Sequence, residues 1–260
     1  MNDVLHLYAH TDIWLLILVR IVAAFLVIPL VTETQLPATV AGGLTGILSL
    51  MVFFTIPLEP INYAENFLAY FMIIIKETMI GTIIGFSLVI FFQVYYIIGH
   101  LFGTQGGLGM STQLDPSSGG QVPILGKLYY LGFSVIFMLS GGYHWFIRAL
   151  IETFTQIPVG TGVINPNLMY PMTDAISLFF ELGFRLAMPI LGVIIAIDCG
   201  LGILAKAAPQ MNMFVIGLPI KLIVLLFLMT FLLQLIPDYN NIIIKNITDI
   251  FYAIVQGLTP

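Results

Sequence analysis

The sequence predicts an all-α integral membrane protein built from helical hairpins, and three observations carry that reading. Only 8% of the 260 residues are charged and 59% are hydrophobic, with a mean hydropathy of +1.06. A soluble domain carries roughly 25% charged residues, so this chain lacks the polar groups to cover a globular surface. Thr78 to Leu114 holds no Asp, Glu, Lys or Arg. The apolar runs are also far longer than the roughly ten-residue alternating strands of an outer-membrane barrel, which leaves helices as the spanning elements.

The amino-terminal stretch has Asp3 and Asp12 but no basic n-region, so a cleavable signal peptide is not expected. A first apolar segment runs from about residue 13 to 31, with Arg20 in its middle. A second runs from about 38 to 56 between Pro37 and Pro57, boundary residues that suit a helix starting and stopping there. The third, Phe67 to Phe102, is almost continuously helix-compatible. At 1.5 Å per residue it would be about 54 Å long against a hydrocarbon core of roughly 30 Å. It must therefore break, tilt strongly or extend beyond the bilayer.

Residues 125 to 157 are apolar again, with "SGGYH" from Ser140 to His144 as the expected break into two pieces. The Pro-, Gly- and Asn-rich stretch from Pro158 to Pro171 reads as a linker. It divides the chain into residues 1–157 and a carboxy-terminal part, 172–260. That part begins with a second overlong run, 173 to 208, followed by a last hydrophobic segment from Phe214 to Ile236. The tail then puts Ile243, Ile247, Ile250, Ile254 and Leu258 on one face at helical spacing. It is expected as an amphipathic helix lying on the membrane surface or on a partner.

Several charges fall inside apolar segments: Arg20, Lys76, Glu77, Arg148, Glu152, Glu181, Arg185 and Asp198. Such a charge costs roughly 2.5–3.5 kcal/mol on insertion scales and normally faces protein or a polar cavity. Glu181 with Arg185, and Arg148 with Glu152, are spaced i, i+4 and are expected to form local ion pairs. A proton relay and pairing between subunits are the other uses of these charges.

Catalytic chemistry is poorly represented. His6 and His10 are i, i+4 but no carboxylate–histidine motif accompanies them. Ser140 and His144 have no third partner in view, and "LSGGYHW" is more simply a glycine break. Cys199, the single cysteine, is expected as a small buried apolar side chain. "GTQGGLGMST" lacks the Gly-Lys-Ser/Thr ending of a phosphate-binding loop. No enzyme, cofactor, metal site or nucleic-acid partner is expected; membrane lipid is.

Two polar stretches stand out. "GGLGMSTQLDPSSGGQVP", residues 106 to 123, is too polar for lipid and rich in glycine. Polar atoms at membrane depth are tolerated only in a wet cavity or inside protein. Gly106, Gly107, Gly109, Gly119 and Gly120 would let such a loop swing, Met110 and Leu114 could fill a hole, and Asp115 and Pro116 could tie it down. The second stretch, Gly200 to Leu222, is a helical hairpin tip with Pro209, Gln210 and Asn212 at the turn. Lys206 and Lys221 flank it and favour the cytoplasmic side.

"AKAAPQMNMFVIGLPIKL" and "LDPSSGGQVPILGKLYY" together resemble the two recurring motifs of the FliR family of type III export-gate proteins, which has SctT/YscT-type counterparts in virulence secretion. The order of segments agrees along essentially the whole chain, and the flagellar branch fits better. The resemblance implies a FliP-like part before the linker and a FliQ-like hairpin after it. It implies assembly with FliP and FliQ family subunits into a closed helical channel raised out of the bilayer, which would accommodate overlong helices. FlhB and FlhA family proteins are implied as neighbours and unfolded flagellar substrates as cargo, in the inner membrane at the basal body. Residues 105–122 would then be the pore plug. Lys206, Pro209, Gln210, Asn212 and Lys221 would form a hairpin tip near the cytoplasmic entrance. The acidic residue of the FliQ-type tip is missing here, which puts a tip salt bridge in doubt. The competing readings are a secondary transporter for a small solute, which would show two related halves, and a lipid-modifying enzyme, which would need a catalytic constellation.

Overall fold

The computed structural model describes residues 10–28, 37–57, 67–107, 124–210 and 212–259. Among them every regular element is helical. They are α1 (Thr11–Val27), α2 (Ala38–Thr55), α3 (Phe67–Gln105), α4 (Ile124–Leu139), α5 (Gly142–Gln156), a 3-10 turn (Pro166–Leu168), α6 (Met169–Ala207) and α7 (Met213–Leu258). The chain is thus an all-α membrane protein. Phe67–Ile90 and Pro166–Ala207 are long and apolar enough to cross a bilayer, and the bent pair α4–α5 could make a third span.

α1 carries Leu16, Ile17, Ile21 and Ala24 on its buried side. It packs on α2, where the Trp14 indole donates to Ser49 Oγ at 3.2 Å. The polar side chains of α2 are quenched locally: Thr45 donates to the Ala41 carbonyl at 3.0 Å and Ser49 to that of Gly46 at 2.7 Å. Val40, Leu44, Ile47, Met51 and Phe54 form an exposed stripe along α2.

The third segment does not break. α3 is one helix of 39 residues, about 58 Å by helical rise, and its length needs an explanation other than a kink. Gly81 and Gly85 let it approach α1 closely. A Cβ on either would run into the backbone carbonyl of Arg20 or Ala24. Such small-residue contacts are how apolar helices gain packing where lipid removes the hydrophobic drive.

The expected break at "SGGYH" is present. α4 ends at Leu139 and α5 begins at Gly142, and between them Gly141 takes φ 74°, a left-handed conformation that glycine adopts without strain. The linker is shorter than its composition suggested. The chain is already helical at Met169, because Pro171 sits in the first turn, where a backbone N–H has no partner to lose.

Two other expectations are corrected. The carboxy-terminal amphipathic stretch is not a separate surface helix. α7 runs for 46 residues straight through Pro219 and Pro237. An interior proline costs roughly 3 kcal/mol, so something must offset it. Here Ile243, Ile247, Phe251, Ile254, Val255 and Leu258 are all buried, and the helix continues because its own chain covers that face. Phe251 meets Trp145 of α5 edge-on at 5.5 Å, and Gly257 lies against Leu168. Cys199 is exposed rather than buried, on a stretch of α6 whose apolar side chains also face outward.

Contacts group the chain into two compact units. One comprises residues 1–90, 141–176 and 245–260; the other comprises 91–140 and 177–244. The first unit is organised around α1, the beginning of α3, α5 and the end of α7. The second has an aromatic core in which Phe133 stacks on Tyr95 at 4.2 Å and meets Phe92 edge-on at 4.9 Å. Phe137 closes on Phe92 at 5.2 Å and Phe102 on Tyr129 at 5.7 Å. Each such ring pair contributes roughly 0.5–1.5 kcal/mol beyond area burial.

Candidate functional site

The sequence singles out three places in the fold: the root of the polar loop, the hairpin tip and the buried charges. The loop's root lies at the end of α3. Phe102 is fully buried, and the Gly106 amide donates to its carbonyl at 2.8 Å. Gly107 turns out of the helix with φ 85°. Both glycines lie flat on α7: a Cβ on Gly106 would strike Leu225, and one on Gly107 would strike Leu218. The root of the loop is thereby fixed on the second unit's last helix. Gly109, Met110, Leu114, Asp115, Pro116, Gly119 and Gly120 lie outside the described residues.

At the tip, α6 ends at Ala207 and α7 begins at Met213. Lys206 sits in the last turn of α6, where a cation complements the helix dipole, and it is exposed together with Pro209, Gln210 and Asn212. Lys221 does not stand with them. It forms an ion pair with Asp198 across the hairpin. Asp198 stands eleven residues before Pro209 and Lys221 twelve after it, so the symmetry of the two arms carried the signal. The hairpin therefore has an internal ionic brace despite lacking an acidic residue at its turn.

The i, i+4 pairs do not close. Among the described residues the ion pairs are Lys221–Asp198 and Arg20–Glu77. Glu181 and Arg185 are both exposed on α6, amid Phe180, Phe184 and Met188, which are exposed too. Arg148 is exposed on α5. Glu152 instead accepts a hydrogen bond from the Tyr252 hydroxyl of α7 at 3.0 Å. Burial first, and then that carboxylate, pushes the Tyr252 phenol above its usual range. Ser140 Oγ accepts from Asn240 at 3.2 Å rather than turning toward a catalytic partner.

The strongest polar cluster joins residues that sequence spacing did not pair. Arg20 and Glu77 are both 0% exposed, and Arg20 Nε donates to Glu77 Oε2 at 2.5 Å. Arg20 Nη2 reaches Glu77 Oε1 at 3.0 Å and Nη1 reaches the Ile157 carbonyl at 2.9 Å. The Gly160 amide donates to Glu77 Oε1 at 2.7 Å. The Phe154 ring covers the guanidinium, 4.4 Å from ring centre to Cζ. The usable signal was small residues in register with each charge: Ala23 and Ala24 follow Arg20, and Gly81 and Gly85 follow Glu77. Beside this cluster, Ile13, Ile56, Pro57, Phe154, Thr155, Pro158 and Val159 line a small cleft of about 140 Å³.

The profile of one protein family, "Bacterial export proteins, family 1", matches residues 12–247. The chain belongs to that family. As a family-1 export protein it is 28% identical to the flagellar biosynthetic protein FliR of Escherichia coli (strain K12) over 241 residues. That alignment covers 93% of this chain and 92% of the relative. It is 28% identical to FliR of Bacillus subtilis (strain 168) over 86% of each chain. It is 25% identical to the secretion system apparatus protein SsaT of Salmonella typhimurium, covering 94% of this chain and 96% of the relative. The stretch shared by family 1 takes in the loop root, the hairpin with its brace and the Arg20–Glu77 cluster.

Proposed function

We propose that the chain is a subunit of a flagellar type III protein-export gate in the bacterial inner membrane, at the basal body. In this reading it helps form the channel, and residues 105–122 plug the closed pore. The observation that carries the proposal is similarity over nearly the full length of both partners to FliR and SsaT. The FliR proteins of Escherichia coli and Bacillus subtilis are each 28% identical and SsaT 25%, which favours the flagellar branch. Two physical features support it. The loop's root packs against Leu218 and Leu225 of α7, which suits a plug with an anchored base. And α6 carries Glu181 and Arg185 exposed on a helix apolar enough to span a membrane, which suits protein neighbours and not lipid. Those neighbours would be FliP and FliQ family subunits, with FlhB and FlhA family proteins nearby and unfolded flagellar substrates in transit. The division into a FliP-like part, 1–157, and a FliQ-like part, 172–260, belongs to the same proposal. So does a cytoplasmic position for Gln210 and Asn212.

The test is deletion of residues 108–120, which spares the docked Gly106 and Gly107. The complex should still co-purify with its FliP- and FliQ-like partners, but the membrane should leak ions. Baseline conductance in both cells and purified complex would refute the plug. A stable lone monomer that takes up a small solute would favour a transporter instead.

A further inference from the structure

The Arg20–Glu77 pair does more than neutralise two buried charges: we infer that it is a clasp that holds the connector between α5 and α6, and through it the end of α7. The connector, residues 157 to 165, has no regular structure of its own and leaves backbone groups to be satisfied. The clasp takes two of them. Arg20 captures the Ile157 carbonyl, and Glu77 captures the Gly160 amide. Lys76, one residue along, reaches the Gly160 carbonyl at 3.5 Å. Gly160 can present its amide this way because it takes φ 83°, and Gly162 lies so close to Ile80 and Ile157 that a side chain would not fit.

The captured connector then holds the last helix. The Val163 amide donates to the Leu258 carbonyl at 3.1 Å, satisfying one of the orphan acceptors at the end of α7. Leu168 packs against Gly257 at 3.1 Å from the position of a Cβ. A chain of contacts thus runs from α1 and α3 through the connector to the carboxy-terminal end of α7, all within the first unit. An ion pair serving only to fill the core would need none of these backbone bonds. A carboxylate and a guanidinium are suited to this place because each can bind its opposite charge and a backbone group at once.

The distinction can be measured by amide hydrogen exchange on the full-length chain in detergent. In Glu77→Ala, peptides covering 157–165 and 256–259 should exchange about tenfold faster or more, while those covering 38–55 of α2 keep wild-type protection. Because Glu77→Ala leaves Arg20 buried and unpaired and could unfold the protein, the apolar double variant Arg20→Met with Glu77→Leu provides the second arm. Apolar replacement of a buried ion pair is often neutral for stability. That variant should keep its thermal midpoint close to wild type yet still release the connector and the end of α7. Wild-type protection of 157–165 in the folded double variant would overturn the clasp. So would a uniform rise in exchange across all helices.

Discussion

Gly85, like Gly81, is a residue at which the α1–α3 contact is unforgiving. The atom that a Cβ would meet is a backbone carbonyl of α1, which cannot rotate away as a side-chain tip could. Gly85→Val should lower stability by about 1–3 kcal/mol or more, seen as a fall in the thermal midpoint in detergent. Gly132, in α4, has open space where a Cβ would go, so Gly132→Ala should leave the midpoint unchanged or raised. Equal losses in both would mean that the close approach of α1 and α3 is not what holds the first unit. The residue scale is also where sequence reading was least complete. Arg20 and Glu77 were recognisable as expensive charges, but nothing in their spacing joins residues 57 apart. Local i, i+4 spacing pointed instead at Glu181–Arg185 and Arg148–Glu152. Those side chains lie on outward faces or, for Glu152, within reach of the Tyr252 hydroxyl, and a helix-surface pair separated by one turn has little to hold it closed.

Helices α3 and α7 meet where the polar loop begins, and that junction can be tested as a matched pair. Gly106→Ala pushes a methyl group into Leu225, at a cost of about 1–3 kcal/mol for overpacking. Leu225→Ala removes the obstructing methyl, though not the Phe102 carbonyl that also lies near, and itself empties a buried position, so the double variant should lose less than the sum of the two single losses. Strict additivity of the two losses would show that the residues do not touch. At this scale the sequence was informative. Apolar runs, Pro37, Pro57 and "SGGYH" placed α1, α2 and the α4–α5 break close to where they stand. By contrast, the end placed at Ile236, just before Pro237, misled. Whether a proline ends a helix depends on what the following turns bury, and Ile243, Ile247 and Phe251 find cover in the fold.

For the whole molecule, the exposed apolar surface is the leading physical fact. Along with the α2 stripe, Ile176, Phe180, Phe184, Met188 and Ile195 of α6 and Ile223, Phe227 and Phe231 of α7 face outward. Exposed charges among them distinguish contact with protein from contact with lipid tails. Arg185→Ala should therefore leave the isolated chain's thermal midpoint within about 0.5 kcal/mol of wild type, as for an exposed site, while reducing the yield of assembled gate recovered with its partners. Unchanged assembly would place Arg185 at the lipid headgroups instead. The helical membrane class was readable from the sequence, because too few charges means too little wettable surface and the apolar runs are too long for barrel strands. The grouping into two units was not, since it depends on contacts between segments far apart along the chain.

The first unit draws its residues from the beginning, the middle and the end of the chain. On the ribosome it therefore cannot close early. Arg20 and Glu77 are made long before Ile157 and Gly160, and Leu258 later still. The two charges can meet each other once α3 is made, but the connector bonds that complete the unit have to wait until residues 157–160 follow.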